Sequence, residues 1–305
     1  MRILVTGGAG FIGSGVAAAY LQAGHDVVVV DNLSTGRRDW VPAGACFYEM
    51  DVTDPGLERV FADHRFDVVN HHAAQVSVTR SVTDPAGDAR TNILGSLALL
   101  GLAVRFGVRR FIFASSCAVY GQADRRPTPE SAPLRPLSPY GLAKRVVEDY
   151  LRLYGELTGL EWVALRYANV YGPRAKPHTE AGVVTVFITQ MLRGERPTIF
   201  GDGRQTRDFI HVDDVVDANL RALDRGAGPI NIGTGRETSI LGLFRMLARM
   251  IGFEAPPVFA PARPGEVRFS SLDRTLAGEV LGWSPRVDLA EGLVRVVDTL
   301  RGGVG

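Results

Sequence analysis

The fold is decided near the N-terminus by the run Ile3-Leu4-Val5-Thr6-Gly7-Gly8-Ala9-Gly10-Phe11-Ile12-Gly13. Its apolar beginning predicts a buried strand, and the residues from Phe11 onward predict a helix. Gly7, Gly10 and Gly13 allow a sharp turn, a close approach of the backbone to a pyrophosphate, and tight packing of the helix on the sheet. The N–H groups that begin a helix attract phosphate. The run therefore predicts a dinucleotide site.

An acidic residue closes the next predicted strand. Asp31 stands eighteen residues after Gly13, where a carboxylate accepts hydrogen bonds from both ribose hydroxyls of an adenosine and repels a 2′-phosphate. This placement favours NAD over NADP. Arg37 and Arg38 leave NADP open as an alternative, unless they belong to a solvated loop.

The first half of the chain alternates apolar runs with helical patterns, which is typical of a doubly wound parallel sheet in the α/β class. The predicted strands are Ile3–Thr6, Val27–Asp31, Cys46–Met50, Asp67–His71, Arg110–Ala114 and Trp162–Arg166. The predicted helices are Phe11–Leu21, Leu57–His64, Ala89–Phe106 and Tyr140–Tyr154, followed by Val184–Leu192, Val215–Leu223, Leu241–Ile251 and Leu289–Leu300. We expect a Rossmann-type domain over residues 1–172 and a smaller α/β substrate domain over 173–305, with some segments returning to the first.

Composition excludes several classes of protein. The 305 residues carry a formal net charge of +1. Proteins that bind nucleic acids need a strongly basic face, and this near-zero charge does not predict one. No apolar run is long enough to span a membrane, and a strand begins at once where a signal peptide would lie. Cys46 and Cys117 are too few for a disulfide framework or a thiolate metal site. The expected location is the cytoplasm.

A second group of residues predicts chemistry. Ser116 follows the strand Arg110–Ala114, and Ser138 and Pro139 suit the N-cap and first turn of a helix that places Tyr140 and Lys144 on one face. A tyrosine and a lysine four residues apart also occur on ordinary amphipathic helices. This chain, however, uses arginine for nearly all its basic residues and has only two lysines. A lysine at this place therefore indicates a specific role.

The pair suits proton transfer from a hydroxyl. A free tyrosine has a pKa of about 10, and a general base works best when its pKa is near the working pH. The Lys144 ammonium and a positive nicotinamide ring would both lower the pKa of Tyr140. Tyr140 would then accept the proton while the carbon gives its hydride to NAD, and Ser116 would hold the same oxygen.

The spacing of Gly7, Gly10 and Gly13 resembles that of the short-chain dehydrogenase/reductase superfamily. The whole chain resembles its extended branch, in particular the NAD-dependent UDP-glucose 4-epimerases. The matching stretches are Val5–Gly13, Asp31–Gly36, Phe113–Gly121, Tyr140–Lys144, Arg166–Arg174 and Arg207–Val212.

The resemblance implies a set of cofactor contacts, among which Asp51 and Val52 lie at the adenine, Ala73 and Ala74 beside the pyrophosphate, and Asn92 supports the catalytic array. The full set is Gly7, Gly10, Phe11, Ile12, Gly13, Asp31, Asn32, Ser34, Thr35, Gly36, Asp51, Val52, Ala73, Ala74, Gln75, Asn92, Ser115, Tyr140, Lys144 and Tyr167.

It also implies contacts to a sugar nucleotide. The set is Ser116, Tyr140, Asn169, Val183, Val184, Thr198, Phe200, Arg207, Arg263, Glu266 and Ser270. Asn169 and Arg207 would lie near the diphosphate, where a planar guanidinium pairs with two oxygens. Arg263, unless it is only a surface charge, and Glu266 would lie toward the UDP end. Ser270 falls where some epimerases carry a tyrosine that excludes bulky C2 substituents, and Val76 replaces a cofactor-contacting lysine of the enteric type, which leaves the exact sugar open.

Related dehydratases follow the serine or threonine with Asp-Glu, whereas this chain has Cys117 and Ala118. Because alanine cannot transfer a proton, the resemblance favours C4 epimerisation of a UDP-hexose, including N-acetylated ones, over elimination. A decarboxylase or a 4-epimerase of UDP-uronic acids is the alternative, and a non-enzymatic NAD-binding scaffold is a third.

Two further expectations concern metals and assembly. His71 and His72 are adjacent and point to opposite faces of a strand, so we expect no metal site. Apolar residues on the helices Ala89–Phe106 and Tyr140–Tyr154 predict a homodimer. They are Ile93, Leu97, Leu100, Val147, Tyr150, Leu151 and Tyr154.

Overall fold

The computed structural model describes residues 1–175, 182–262 and 267–302. Its strands are β1 (Arg2–Thr6), β2 (Asp26–Asp31), β3 (Cys46–Glu49), β4 (Val68–His71), β5 (Arg110–Ser116), β6 (Glu161–Tyr167), β7 (Asn169–Tyr171), β8 (Thr198–Phe200), β9 (Thr206–Arg207), β10 (Phe209–His211), β11 (Gly228–Ile232), β12 (Thr238–Ser239) and β13 (Val258–Ala260).

The helices are α1 (Phe11–Gln22), α2 (Leu57–His64), α3 (Val78–Thr83), α4 (Pro85–Ala89), α5 (Gly95–Arg105), α6 (Pro139–Thr158), α7 (Val183–Leu192), α8 (Val212–Arg221), α9 (Ile240–Ile251), α10 (Thr275–Leu281) and α11 (Leu289–Gly302). A π-helical segment, Arg90–Leu94, joins α4 to α5. In the described part of the chain, no helix is both long and apolar enough to cross a membrane.

The largest sheet has the order β11-β6-β5-β4-β1-β2-β3, and all its neighbouring strands are parallel. The chain reverses its direction of winding between β1 and β4. Such a reversal opens a crevice beyond the carboxyl ends of the strands, where ligands bind in this architecture. The predicted Rossmann-type α/β fold is confirmed.

Both faces of this sheet are buried, as the strands of a parallel sheet require. Along β2, Val27 and Val29 belong to one hydrophobic core, whereas Val28 and Val30 belong to a second core on the opposite face. The alternation follows from the two-residue period of a strand. A continuous run of valines is therefore what a strand between two helical layers needs.

A third hydrophobic core lies apart from these two and includes Val184, Phe187 and Leu243 of α7 and α9. It accompanies three two-stranded pairs, β7 with β10, β8 with β13 and β9 with β12. Two segments beyond residue 172 nevertheless pack with the large sheet, because β11 pairs with β6 and α8 packs on α1. The division into domains at residue 172 stays a prediction.

The ends of several elements differ from the predicted ones. β5 and β6 remain paired up to Ser116 and Tyr167, two residues and one residue beyond the predicted ends. The helix predicted over 89–106 begins earlier, at Pro85, because Asp84 caps it through the Gly87 N–H. α6 continues to Thr158, where Gly159 in the left-handed conformation ends it.

Candidate active site

The glycine-rich turn joins β1 to α1 and has no room for a side chain at Gly7 or Gly13. Gly7 has a φ of +69°, and a Cβ added there would lie 2.6 Å from the Ala73 backbone nitrogen. A Cβ on Gly13 would lie 2.2 Å from the Gly7 carbonyl oxygen. Among the described residues no side chain caps α1 at Gly10, so the positive end of this helix faces the crevice. The turn fits a pyrophosphate group.

Asp31 lies at the end of β2 beside this turn. Its carboxylate accepts hydrogen bonds from the backbone N–H groups of Ala9 at 3.0 Å and Leu33 at 2.8 Å. Burial raises the pKa of Asp31, and the two backbone hydrogen bonds act in the opposite direction. The side chain is therefore held in one orientation, as a ribose-binding carboxylate must be.

The two arginines that left NADP open are engaged elsewhere. Arg37 forms two hydrogen bonds to Asp39, at 2.8 and 2.6 Å. The Arg38 guanidinium carbon lies 4.1 Å from the centre of the Phe47 ring. Both arginines therefore contact other side chains of the protein, and neither is positioned to bind a 2′-phosphate. This supports the preference for NAD over NADP.

The loop after β2 is tied to both neighbouring segments. Asn32 donates to the Asp51 carboxylate at 2.7 Å and accepts from the Ser34 N–H at 3.0 Å. A Cβ on Gly36 would lie 2.8 Å from the Ala9 carbonyl oxygen, so this loop rests on the glycine-rich turn. The predicted cofactor residues Asn32, Ser34, Thr35 and Gly36 therefore lie close to Asp51. Val52 is almost fully buried and contributes to one core of the large sheet.

The segment after β4 is held by Asn92. Its side chain accepts from the Gln75 N–H and donates to the Gln75 carbonyl, both at 2.9 Å. The Gln75 and Asn92 side chains in turn both donate to Oδ1 of Asp88, at 2.7 and 2.9 Å. We name these three side chains the Asp88 clamp. It holds the backbone that follows Ala73 and Ala74, and sequence reasoning missed Asp88.

Tyr140 and Ser116 are brought together by a close helix contact. Ser138 caps α6 by accepting from the Gly141 N–H at 3.1 Å, and Pro139 occupies the first turn, as predicted. A Cβ on Gly141 would lie 2.6 Å from the Ala118 carbonyl oxygen. Glycine at this position lets α6 begin directly against the turn that follows Ser116.

Lys144 is buried, with 3% of its surface exposed. Its Nζ donates to the Ala114 carbonyl of β5 at 2.9 Å and lies 5.8 Å from the centre of the Tyr140 ring. Burial lowers the pKa of Lys144 to about 8, although the charges of Asp88 and Glu148 act to raise it. The ammonium is therefore half deprotonated at about pH 8 and mostly charged at neutral pH.

Tyr140 departs from the expectation. Burial raises its pKa to about 12, with hydrogen bonding to Ser116 acting in the opposite direction. In the protein without NAD the pKa of Tyr140 is therefore not lowered, because burial dominates and the charges of Cys117 and Asp88 add to the rise. Ser116 Oγ accepts from the Ala118 N–H at 3.2 Å, which leaves its own proton to donate.

A buried polar chain behind the site was also missed. Ser115 donates to Glu148 at 2.5 Å, and Arg166 binds the same carboxylate at 3.0 Å. Arg166 also donates to the Tyr120 hydroxyl at 2.8 Å. This chain ties α6 to β5 and β6. The available signal was Glu148, which stands one helical turn after Lys144 on the same face.

The adjacent histidines have separate surroundings. His71 lies between the Thr6 hydroxyl at 2.7 Å and the Ser96 hydroxyl at 2.9 Å. His72 stacks on Tyr167, with ring centres 6.2 Å apart, and burial lowers its pKa to about 4. Tyr167 is itself buried and accepts a hydrogen bond from Asn219 at 2.9 Å.

The predicted substrate residues are spread over short elements. Asn169 begins β7, Thr198 and Phe200 bound β8, and Arg207 ends β9, where its guanidinium donates to the Thr206 carbonyl at 2.8 Å. At the start of α7, Val183 is partly buried and Val184 packs into the third core. The side chain of Val184 therefore faces away from any ligand. Arg263 and Glu266 lie outside the described residues.

Ser270 and its neighbour Ser271 face different surroundings. Ser270 hydrogen bonds with the thiol of Cys117, whose pKa is raised mainly by burial. Ser271 is buried and donates to Glu237 at 3.3 Å. Of the two serines, Ser270 is thus the one beside the residue that follows Ser116.

Comparison with known proteins agrees with this geometry. Residues 3–233 match the model of the NAD-dependent epimerase/dehydratase family. The chain belongs to this family. It is similar to the UDP-glucose 4-epimerase of Mycolicibacterium smegmatis, with 44% identity over 99% of each chain.

Two solved structures extend the similarity. The UDP-glucose 4-epimerase of Thermotoga maritima, solved with UDP-glucose, shares 49% identity over 100% of each chain with a TM-score of 0.98. The Thermus thermophilus UDP-glucose 4-epimerase, solved with NAD, shares 43% identity over 99% of each chain with a TM-score of 0.94. The predicted family and the predicted dependence on NAD are confirmed.

Proposed function

We propose that this chain is a UDP-glucose 4-epimerase that reversibly inverts C4 of a UDP-hexose and retains NAD through turnover. The observation that carries the proposal is the meeting of Ser116, Tyr140 and Lys144 at the carboxyl ends of the large sheet, beside the glycine-rich turn. The strong similarity to UDP-glucose 4-epimerases over the whole chain supports it.

The residues divide the chemistry among them. Tyr140 accepts the proton of the C4 hydroxyl and later returns it, while Ser116 donates a hydrogen bond to the same oxygen. The positive charge of Lys144 favours the ionised form of Tyr140. The Lys144 ammonium would also bind the ribose of the cofactor. NAD, held by the glycine-rich turn and Asp31, would supply the reversible acceptor for the C4 hydride. Because the hydride returns, no second redox partner is needed.

The surroundings of Ser116 argue against elimination of water. Ala118 has no proton to transfer, and its carbonyl packs against Gly141. Burial raises the pKa of the Cys117 thiol, so it stays protonated near neutral pH and is no base. Epimerisation requires neither of these positions to act.

The sugar-nucleotide contacts stay proposals. Asn169 and Arg207 would hold the diphosphate, with Arg263 and Glu266 toward the UDP end and Val183, Val184, Thr198 and Phe200 along the nucleotide. Since the Val184 side chain is in the core, it would contribute only its backbone at the start of α7. Ser270 would face C2 of the sugar.

We also propose a homodimer through the segment Arg90–Leu94, α5 and α6, with the apolar face modified from the predicted one. Leu100, Val147 and Leu151 pack into the core and leave no surface for a partner. Leu94, Leu153 and Leu157 are instead 59%, 41% and 73% exposed. Light scattering should give twice the chain mass at micromolar concentration, whereas a monomer would refute the proposal.

The cellular location is proposed on the state of the cysteines. Cys46 and Cys117 are both free thiols, which suits the reducing cytoplasm. Fractionation of the native host, followed by detection of the chain in the soluble cytoplasmic fraction, would test this.

The deciding experiment uses the purified protein with UDP-galactose and no added cofactor. We expect UDP-glucose to form while the bound nucleotide is retained. Release of NADH in proportion to product would overturn the epimerase. Turnover of UDP-glucuronic acid with none of UDP-galactose would favour the alternative, a decarboxylase or 4-epimerase of UDP-uronic acids.

A further inference from the structure

Asp88 is a carboxylate that the proposed chemistry leaves unused, although it is buried against the site. It lies on α4 and is 2% exposed. α4 packs directly against α6, the helix that carries Tyr140 and Lys144. A buried carboxylate is costly unless hydrogen bonds and an opposite charge compensate for it. Both kinds of compensation are present around Asp88.

The hydrogen bonds come from the Asp88 clamp. Gln75 Nε2 and Asn92 Nδ2 both donate to the same oxygen, Oδ1, at 2.7 and 2.9 Å. Asn92 also bonds both backbone groups of Gln75. One carboxylate oxygen thus fixes the segment that is predicted to line the pyrophosphate.

The opposite charge is that of Lys144. Burial raises the pKa of Asp88, whereas the Gln75 hydrogen bond and then the charge of Lys144 act to lower it. In return, the charge of Asp88 acts to raise the pKa of Lys144 against burial, ahead of Glu148. Glu148 is already paired with Arg166, so its negative charge is largely compensated.

The other titratable groups around Lys144 do not supply negative charge in the resting protein. Tyr140 is neutral at ordinary pH because burial raises its pKa, and the charge of Asp88 adds to this rise. His71 and His72 stay uncharged because burial, together with the charge of Lys144, lowers the pKa of each.

We infer that Asp88 is a positioning residue of the proposed reaction, whose carboxylate holds Gln75 and Asn92 with one oxygen and places a buried negative charge against α6, the helix that carries Tyr140 and Lys144. This inference rests on the proposed function for its effect on turnover. The effect of the Asp88 charge on Lys144 does not depend on the proposed function.

Two variants of Asp88 can separate its hydrogen-bonding role from its negative charge. Because both clamp donors bind Oδ1, the Asp88→Asn variant retains an oxygen for them and loses only the charge. The Asp88→Ala variant loses both. Asp63→Asn, an exposed aspartate on α2, removes one charge far from the site and is the matched control.

The first measurement reads Lys144 directly. The chain has only two lysines, Lys144 and Lys176, so selective 13C labelling at lysine Cε gives two signals, and Lys176→Arg assigns them. In the protein with its bound nucleotide we expect Asp88→Asn to lower the pKa of Lys144 by about one unit. Asp63→Asn should leave it unchanged. An unchanged value in Asp88→Asn would overturn the inference.

The second measurement is the pH dependence of kcat. With the pKa of Lys144 at about 8, half of the ammonium remains at pH 8, and a fall of one unit leaves about one tenth. Asp88→Asn should therefore match the wild type near pH 6 and be about fivefold slower at pH 8. A loss that is equal at every pH would mean a purely structural role and would overturn the inference.

The remaining variant separates clamp from charge. Asp88→Ala should show the same change in the pKa of Lys144 and, in addition, retain less bound NAD than Asp88→Asn. Equal NAD retention in the two would contradict the clamp. If the wild type turns over no UDP-hexose, the proposed function fails, while the lysine titration still decides whether Asp88 acts on Lys144.

Discussion

The two sides of the crevice are built differently. On the side of the large sheet, each predicted chemical group is held by buried neighbours: Asp31 by two backbone N–H groups and Lys144 by the Ala114 carbonyl. On the opposite side the predicted sugar contacts stand on strands of two or three residues, as at Thr198 and Arg207. The difference suggests that the chemistry is preorganised, whereas substrate choice depends on short elements that tolerate replacement.

The largest expected effect tests the chemical side. Tyr140→Phe removes the proton acceptor and little else, so turnover of UDP-galactose should fall by about a thousandfold, while NAD stays bound. Lys144→Arg should also fail despite its charge, because a planar guanidinium does not fit where the ammonium donates to Ala114. A Tyr140→Phe variant with a rate near that of the wild type would show that Tyr140 is not the proton acceptor.

Sequence reasoning succeeded where the backbone itself demands particular residues. The glycine-rich turn, Asp31, and the Ser138-Pro139 start of α6 are local signals, and the structure places each where it was expected. Asp88 and Glu148 could not be found in the same way. A single acidic residue on a helix is typical of a solvated face, and only the packing of α4 and α6 shows that these two are buried.

The predicted dimer face shows that sequence reasoning is limited in the same way for apolar residues. Periodicity identifies apolar stripes on helices but cannot tell which stripe covers the sheet. Leu100 and Val147 therefore looked available for a partner although they fill the core. The reversed pKa shift of Tyr140 has a related cause, since burial is a property of the fold and not of the residue spacing.

A second prediction tests whether the cofactor side is as rigid as its contacts suggest. In Gly13→Ala the new Cβ would lie 2.2 Å from the Gly7 carbonyl oxygen, and a backbone atom cannot move aside. We expect a loss of about 2 kcal/mol or more of stability, a fall in Tm of about 5 °C, and loss of bound NAD. Differential scanning fluorimetry and nucleotide content would measure both.

The matched control for this prediction is another helical glycine. A Cβ on Gly278 of α10 meets only the Trp283 carbonyl oxygen at 3.8 Å, an ordinary contact. Gly278→Ala should therefore keep its NAD and be slightly more stable, because alanine favours the helix by about 1 kcal/mol. Equal loss of NAD in the two variants would show that the glycine-rich turn is less constrained than its geometry implies.

The smallest expected effect concerns the opposite side of the crevice, at Ser270. During epimerisation the 4-keto sugar must turn within the pocket before the hydride returns, so free space matters as much as contact. An acetamido group at C2 places four heavy atoms where a hydroxyl has one. Ser270 is small and lies beside Cys117, next to Ser116, so we expect UDP-N-acetylgalactosamine to be a substrate as well as UDP-galactose.

In Ser270→Tyr the rate on the acetylated sugar should fall about tenfold more than the rate on the plain one, a difference of about 1.4 kcal/mol. Ser270→Ala keeps the space and removes only the hydroxyl, so it should leave the ratio of the two rates unchanged. If Ser270→Tyr slows both substrates equally, position 270 supports the site without selecting the sugar, and substrate choice must then lie in other short elements of this side.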